Sequence, residues 1–492
     1  MNLSRIIRGW ALQSPDRPAL HFHGETLSYA ALWQRIEQAT HGLAGLGVRH
    51  GDRVAWLGYN HPDMLVLLFA CARLGVMLVP LNWRLTAHEH AAILEDCAPR
   101  LLCYEEAFAE HGRGLRAGKH LLLDDLHRSD HLPLAEPDLR GSDADEVLVV
   151  YTSGTTGRPK GAVLTQSALL WNGFNAIHAH DLRQADRVLS PLPLFHVGGL
   201  NNQTLPALLA GAQVILQPRF EPGQWLEDVR VHKPTLSLLV PATMAAVMAH
   251  PDWSGTDLSS LRMLWTGSMV VPESLIRAFH AREVPVGQIY GSTETAPIAT
   301  VLMQADARRH LGSAGKPALH CEVRIAGPDG EDLGPDQVGE VRVRGPNVMR
   351  RYWNDPQATA EAFDAGGWFR TGDLGRWDVQ GFLWISGRSK DLIISGGENI
   401  HPAELENVLA DCPAILEACV VGVEDARWGE AACAVVVRRP GSHLDEAGVL
   451  ALFHERLARF KHPRKVVFLE ALPRNAMGKV QKFELQSRLS GA

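Results

Sequence analysis

The sequence predicts an α/β fold, with a large N-terminal domain of parallel sheets covered by helices plus a small barrel, and a small α+β C-terminal domain. Helical patterns alternate with short apolar segments through most of the 492 residues. Arg53–Leu57 predicts a strand, Pro62–Leu74 a helix and residues 76–80 an extended segment. This alternation is typical of parallel sheets covered by helices, whose ligands bind in loops at the carboxyl ends of the strands.

The other elements follow in order. A short amphipathic helix ends near Pro15, and apolar spacing of three and four residues predicts a helix over 27–46. Short apolar segments bounded by turn residues predict strands at 147–151, 214–216, 236–240 and 263–265.

The pattern changes after about Gly312. Strands at 323–326, 339–343 and 381–385 are separated by Gly, Pro and Asp turns, which predicts a small barrel or curled sheet. After Lys390 the order is strand, helix, strand. We therefore predict an N-terminal domain over 1–389 and a C-terminal domain over 390–492, the latter of ordinary domain size.

Composition excludes several classes of protein. The net charge of -7 and the lack of a basic run argue against a nucleic-acid partner. Seven cysteines without a CxxC pair favour a reducing compartment. The most apolar stretch, 64–81, is interrupted by Arg73 and Gly75, so a buried helix and strand are expected instead of a membrane span. A cytoplasmic protein is predicted.

The most informative segment is YTSGTTGRPKG at 151–161, directly after a strand. Glycines let backbone N–H groups turn around an anion, hydroxyls add donors, and Lys160 adds charge. The segment therefore predicts a phosphate-binding loop, although it lacks the Walker spacing. A polar surface turn is the alternative.

Four further segments carry polar groups or glycines at turns. IYGSTE ends in Thr293 and Glu294, a hydroxyl for phosphate beside a carboxylate for Mg²⁺, or alternatively an ordinary helix N-terminus. TGD presents Asp373 on a predicted glycine-flanked turn, where an acid can accept ribose hydroxyls. Gly396 and Gly397 precede a predicted polar helix start, and Lys479 follows a flexible turn near the C-terminus.

Together and in this order, YTSGTTGRPKG, IYGSTE, TGD, GRSKD and the late GK resemble the adenylate-forming (AMP-binding) superfamily of acyl-CoA synthetases. The likeness covers essentially the whole chain and is nearest to bacterial aryl/feruloyl-type and medium-chain fatty-acyl-CoA ligases. It implies an enzyme that uses ATP, Mg²⁺ and CoA, and a C-terminal domain that moves. A homodimer is compatible with it.

The resemblance also implies roles for individual residues. The ATP/AMP-binding residues are Thr152, Ser153, Gly154, Thr155, Thr156, Gly157, Lys160, Gly267, Ser268, Met269, Tyr290, Asp373 and Arg388. The catalytic residues are Lys479, His196 (a gate beside the acyl site), Thr293 and Glu294, which also ligates Mg²⁺. Lys390 is the hinge, and Gly396 and Gly397 approach CoA.

The acyl pocket implied by the resemblance is formed by 197–201, 265–269 and 291–299. Its named members are Val197, Asn201, Gly291, Ser292 and Pro297. No lysine or arginine stands in these segments to bind a second carboxylate, which favours an apolar monocarboxylic acid. An aromatic or hydroxycinnamate-type acid is expected, with a medium-chain fatty acid as the alternative. Three alternative hypotheses are a stand-alone enzyme that loads a carrier protein, a luciferase-like oxygenase and a regulatory protein without catalysis.

Overall fold

A computed structural model of the chain describes residues 2–127, 136–152, 159–268, 271–395, 398–425, 427–454, 456–474 and 479–490. Within these ranges the protein has the predicted mixed α/β architecture. No helix in the described part of the chain is long and apolar enough to cross a bilayer.

The described strands, in chain order, are β1 (Pro18–Phe22), β2 (Glu25–Ser28), β3 (Arg53–Leu57), β4 (Met77–Pro80), β5 (Leu101–Tyr104), β6 (His120–Leu122), β7 (Glu146–Thr152), β8 (Lys160–Thr165), β9 (Arg187–Ser190), β10 (Gln213–Leu216), β11 (Leu236–Leu238), β12 (Met263–Gly267), β13 (Val286–Tyr290), β14 (Thr300–Leu302), β15 (Lys316–Pro317), β16 (Glu322–Ala326), β17 (Gly339–Arg344), β18 (Arg351–Tyr352), β19 (Phe369–Trp377), β20 (Leu383–Arg388), β21 (Ile393–Ser395), β22 (Glu398–Ile400), β23 (Ile415–Asp425), β24 (Gly429–Arg438) and β25 (Lys465–Phe468).

The described α-helices are α1 (Ser4–Gln13), α2 (Tyr29–Gly45), α3 (Pro62–Leu74), α4 (Ala87–Cys97), α5 (Ala109–Gly114), α6 (Gln166–His180), α7 (Val197–Gly199), α8 (Leu205–Leu209), α9 (Pro222–His232), α10 (Pro241–Ala249), α11 (Glu273–His280), α12 (Pro356–Ala362), α13 (Pro402–Ala410), α14 (Glu446–Ala451) and α15 (Lys482–Ser490). One turn of π-helix, Leu200–Thr204, joins α7 to α8.

Two large sheets form the N-terminal part of the described chain. One has the order β15-β14-β13-β12-β11-β9-β10-β1-β2, and the other β18-β8-β7-β4-β3-β5-β6. Their central strands are parallel, whereas the β7–β8 and β13–β14 pairs are antiparallel. A loop that follows β7, β12 or β13 therefore leaves its sheet at a strand's carboxyl end, where ligands of α/β proteins bind.

Helix α3 shows why the core lies between these sheets. Pro62 occupies its first turn, and Gly75 ends it in the left-handed region at φ 68°. All thirteen helical residues are buried. They share one apolar core with Trp56 of β3 and Leu20 of β1, one from each sheet. The apolar stretch at 64–81 is therefore a buried helix and strand, as predicted.

The remaining strands form two smaller antiparallel systems. β16, β17, β19 and β20 make a four-stranded sheet, and β21 to β25 make the C-terminal sheet, in which only β25 pairs in parallel among the described strands.

One local prediction was wrong: Asp373 lies inside β19, beside a bulge, and not on an isolated turn. Strand pairing places this segment, and local turn composition does not reveal such pairing. The helix predicted after Lys390 is α13, which starts at Pro402; strand β22, which begins at Glu398 and pairs with β21, precedes it.

Candidate active site

Thr293 and Glu294 lie at the carboxyl end of β13, on a short 3₁₀ turn. Gly291 before them has φ 157°, and a Cβ there would lie 1.7 Å from the Pro297 carbonyl oxygen, so only glycine fits. The Ser292 N–H donates to Thr295 Oγ1 at 2.9 Å and fixes the turn. This tight geometry brings the acyl-pocket candidates Gly291, Ser292 and Pro297 beside the two catalytic candidates.

The Glu294 carboxylate has a partner that the sequence motifs did not reveal. The Tyr352 hydroxyl donates to Glu294 Oε1 at 2.8 Å. Burial and the Glu294 charge raise the pKa of Tyr352 well above its usual range, so the hydroxyl remains a donor. Lys160 Nζ lies 5.4 Å from the centroid of the Tyr352 ring. Tyr352 thus lies between Lys160, the lysine of the predicted phosphate loop, and the Glu294 carboxylate that follows β13.

Asp373 is almost fully buried and is held by two side chains. The Tyr290 hydroxyl donates to Asp373 Oδ2 at 2.8 Å, and Arg388 Nε lies 2.8 Å from Oδ1. Asp373 and Arg388 are opposite each other in the β19–β20 pair. Burial raises the pKa of Asp373, while Arg388 and the Tyr290 hydroxyl oppose that rise. The predicted nucleotide residues Tyr290, Asp373 and Arg388 therefore form one connected group.

Lys479 approaches this group from the C-terminal part of the chain. Its pKa is lowered, first by burial and then by Arg388, while the charges of Asp373 and Glu294 act in the opposite direction. Its side chain nevertheless remains accessible to solvent. The structure therefore brings the predicted catalytic lysine into the electrostatic field of the predicted ribose and metal ligands.

His196 lies at the start of α7 and is also within the influence of Lys479. Its Nδ1 accepts from the Gly198 N–H at 2.9 Å, which assigns the proton of the neutral ring to Nε2. Burial, and then the charge of Lys479, lowers the pKa of His196 to about 4. The ring is consequently neutral at pH 7.

The acyl-pocket candidates meet through Asn172 of α6. Asn172 Nδ2 donates to the Asn201 carbonyl oxygen at 2.7 Å, and its Oδ1 accepts from the Ile298 N–H at 3.1 Å. Val197 and Asn201 are buried. This bridge brings the segment after His196 against the segment that contains Pro297, although no sequence motif singled out Asn172.

The structure also describes the residues at the ends of the remaining predicted loops. Thr152 and Lys160 pair across β7 and β8, and Thr152 Oγ1 donates to the Lys160 carbonyl oxygen at 3.3 Å. A Cβ at Gly267 would lie 2.3 Å from the Ile289 carbonyl oxygen, and Ser268 follows it with φ 71°. Lys390 lies in a 3₁₀ turn, Ser389–Asp391. Eight predicted site residues fall outside the described residues: Ser153, Gly154, Thr155, Thr156, Gly157, Met269, Gly396 and Gly397.

Two segments of the chain match the models of known protein families. Residues 7–353 match the model of the AMP-binding enzyme family, and residues 404–479 match the AMP-binding enzyme C-terminal domain. The chain belongs to this family of AMP-binding enzymes, as the motif order predicted.

Individual relatives cover the chain almost completely. The indoleacetate–CoA ligase of Aromatoleum aromaticum is 49% identical, over 99% of this chain and 98% of its own. A feruloyl-CoA synthase from an Amycolatopsis species is 44% identical, over 97% of each chain. The o-succinylbenzoate CoA synthetase of Bacillus subtilis, solved with its acyl-adenylate intermediate, superposes with a TM-score of 0.89 at 34% identity, over 98% of this chain and 97% of its own. The same enzyme has been solved with ATP and magnesium ion.

Proposed function

We propose that this protein is an AMP-forming acid–CoA ligase whose substrate is an aromatic carboxylic acid. The observation that supports it most is the convergence of Lys479 with Glu294 and the Asp373–Arg388 pair in one cleft. The similarity over almost the whole chain to an indoleacetate–CoA ligase and a feruloyl-CoA synthase supports both the reaction and the class of acid.

In the first step a carboxylate oxygen of the acid attacks the α-phosphorus of ATP, and pyrophosphate leaves. Two anions must approach each other, so positive charge is needed where negative charge develops. Lys479 supplies it from the C-terminal domain, and Thr293 contacts the α-phosphate. Asp373 accepts the ribose hydroxyls while Arg388 and Tyr290 hold its carboxylate in place.

The residues present fit a magnesium ion bound largely through the nucleotide. The described residues contain no group of three or more His, Cys, Asp or Glu that could hold a metal by themselves. Mg²⁺ is commonly bound by one or two carboxylates together with substrate phosphates and waters, and Glu294 supplies one carboxylate, oriented by Tyr352. When bound, Mg²⁺ neutralises phosphate charge.

In the second step the CoA thiol attacks the acyl carbonyl, AMP leaves, and the thiol proton passes to solvent. Lys479 is then no longer required beside the phosphate. We assign the domain boundary and the hinge to Lys390, so that rotation of residues 390–492 withdraws Lys479 and brings Gly396 and Gly397 towards the cleft. His196, neutral and beside the acyl segment, adds no charge in the path of the thiol.

The first experiment separates the two steps. Purified protein is given ATP, Mg²⁺ and indole-3-acetate or ferulate, and pyrophosphate release is followed before and after CoA is added. We expect acid-dependent pyrophosphate release and a CoA-dependent thioester. Pyrophosphate release without thioester formation would indicate an enzyme that loads a carrier protein. Absence of both with every acid would contradict the proposal.

A further inference from the structure

A group of buried polar side chains lies beyond the gate segment and is not explained by the nucleotide chemistry. We call it the far-end cluster: His180 at the end of α6, Asn202 in the π-turn and Trp265 in β12. All three are buried, with relative exposures of 1%, 6% and 0%. The His180 and Trp265 ring centroids are 4.3 Å apart, with the rings edge to face.

The hydrogen bonds of the cluster define which atoms lack a partner. His180 Nε2 lies 3.0 Å from the Asn202 carbonyl oxygen, which can only accept, so Nε2 carries the proton and Nδ1 is a bare acceptor. Asn202 Nδ2 donates to the Gly198 carbonyl oxygen at 3.2 Å. His180 Nδ1, Asn202 Oδ1 and the Trp265 indole N–H have no hydrogen-bond partner among the described residues.

Such unpartnered atoms are costly when buried, because a donor or acceptor that is removed from water without a partner destabilises the folded state. Some buried groups of the same kinds are satisfied. The Trp225 indole N–H donates to Ser237 Oγ at 3.1 Å, and both amide atoms of Asn172 are bonded. Among the described residues, unpartnered atoms also occur in the neighbours of the cluster, Asn201, Gln203 and Thr266, so they gather around Asn202 and Trp265 and point to a ligand that completes them.

The location of the cluster agrees with the acyl site. Asn202 lies six residues after His196, in a π-turn, a distortion that is frequent at functional sites. Trp265 precedes Gly267 by two residues, which places it about 7 Å deeper along β12 than the segment expected beside adenine. The predicted pocket member Asn201 is adjacent, and its side-chain amide atoms also have no partner in the described part of the chain.

The cluster carries no net charge. Burial lowers the pKa of His180 to about 3, so its ring is neutral in the physiological range. Arg262 is close, since its guanidinium donates to the His180 carbonyl oxygen, but it is also paired with Asp186 at 2.9 Å. These surroundings suit an uncharged polar group on the substrate and not a second carboxylate.

We propose that the far-end cluster selects aromatic acids that carry a hydrogen-bond donor on the ring system, an indole-type N–H or a phenolic O–H, which donates to His180 Nδ1. Asn202 Oδ1 is the neighbouring acceptor. This inference rests on the proposed function and narrows its substrate class. A site built to bind a donor discriminates strongly against an analogue that lacks it, because its acceptors are then left buried and unpaired.

The test compares acids that differ only in the donor. Indole-3-acetate is compared with benzofuran-3-acetate, and 4-hydroxycinnamate with 4-fluorocinnamate, as kcat/KM for acid-dependent pyrophosphate release. We expect the donor-bearing acid of at least one pair to be favoured by about tenfold to hundredfold. Equal kcat/KM values within both pairs would overturn the inference.

Two variants assign the preference to His180. His180→Phe retains a ring of similar shape but removes the acceptor, so it should lower kcat/KM for the donor acid by about tenfold or more and that of its isostere by less than about threefold. His90→Phe is the matched control: His90 is also fully buried, with Nε2 2.9 Å from the Asn82 carbonyl oxygen and Nδ1 3.0 Å from His111. It should leave the ratio within each pair unchanged.

The outcomes separate this inference from the proposed function. Equal use of donor and isostere acids refutes the inference but leaves an aromatic-acid ligase. An equal loss for both acids in His180→Phe assigns His180 a structural role and also refutes it. Activity with octanoate but with no aromatic acid refutes both proposals. If His180→Phe does not fold, the wild-type ratios alone decide.

Discussion

The proposed nucleotide end and acyl end of the site differ in their charge and in the partners of their polar groups. At the nucleotide end, the charged side chains have polar partners: Arg388 is paired with Asp373, and the neutral Tyr352 hydroxyl donates to Glu294. At the acyl end, the far-end cluster of His180, Asn202 and Trp265 is neutral and leaves polar atoms without partners among the described residues.

This difference reflects what each end has to bind. ATP brings several negative charges, so its site needs a cation and a metal-binding carboxylate held in fixed positions before the nucleotide arrives. An aromatic acid brings one carboxylate and an apolar ring, so its distant end is recognised by shape and by a few hydrogen bonds. Variants at the two ends should consequently alter different kinetic quantities.

The largest effect is expected at the junction of the domains. Lys390→Pro should spare pyrophosphate release but abolish thioester formation, because proline fixes φ at the proposed hinge. Lys390→Ala, which leaves φ free, serves as the control and should retain both half-reactions. Normal thioester synthesis by the proline variant would disprove the hinge assignment.

The second-largest effect is expected for Lys479, the proposed cation of the nucleotide end. Lys479→Ala should slow adenylation by about 10²- to 10³-fold, because the charge near the α-phosphate is lost. Transfer from preformed acyl-adenylate to CoA should change far less, and each half-reaction is measured separately by rapid quench.

Lys482→Ala is the matched control for Lys479→Ala. Lys482 lies three residues further along and is paired with Glu406 at 2.8 Å in the C-terminal domain. Its loss should lower the thermal midpoint without changing the ratio of the half-reactions. Equal slowing of both half-reactions in Lys479→Ala would remove Lys479 from its proposed role.

A smaller effect is expected for Tyr352, the partner of the proposed metal ligand Glu294. Tyr352→Phe removes the hydroxyl that donates to Glu294 at 2.8 Å, so the Mg²⁺ concentration for half-maximal adenylation should rise by about tenfold. Tyr29→Phe removes a buried hydroxyl bonded to the Leu208 and Ala212 carbonyl oxygens and should leave Mg²⁺ dependence unchanged. An unaltered Mg²⁺ titration in Tyr352→Phe would show that the hydroxyl does not orient Glu294.

The smallest effect concerns the acyl end and appears in stability. The pKa of His180 is lowered to about 3 in the folded protein, against roughly 6.5 when unfolded. Below pH 6.5 the unfolded chain therefore binds a proton at His180 that the folded chain does not. As a result, the contribution of His180 to the free energy of unfolding falls by about 1.4 kcal/mol for each pH unit between pH 6.5 and pH 3.

His180→Phe lacks this pH dependence. The stability of the wild type minus that of the variant should therefore decrease as the pH is lowered from 7.5 to 5, when thermal midpoints are compared at each pH. A difference that stays constant over this range would contradict a neutral buried His180.

The nucleotide end could be proposed from the sequence because its residues lie in contiguous motifs whose spacing is set by one turn or one loop. The turn after β13 and the pairing of Thr152 with Lys160 are examples. The sequence motifs do not reveal Tyr352, because it is brought to Glu294 by the pairing of β18 with β8. These two strands lie almost two hundred residues apart in the chain.

The acyl end was less predictable for the same physical reason. His180, Asn202 and Trp265 come from three elements, and none has a local pattern that distinguishes it from a core residue. Their common feature, polar atoms buried without partners, exists only after packing. Asp373 was assigned to a turn because long-range strand pairing, which places it in β19, has no local signature.

The central claim, an aromatic-acid–CoA ligase, is tested most directly by kcat/KM for thioester formation across a panel of acids. Indole-3-acetate, ferulate, benzoate, octanoate and malonate are compared at saturating ATP, Mg²⁺ and CoA. We predict the highest kcat/KM for an aromatic acid, lower values for octanoate and the lowest for malonate, because segments 197–201, 265–269 and 291–299 contain no lysine or arginine to pair with its second carboxylate. A higher kcat/KM for octanoate than for every aromatic acid would contradict the claim.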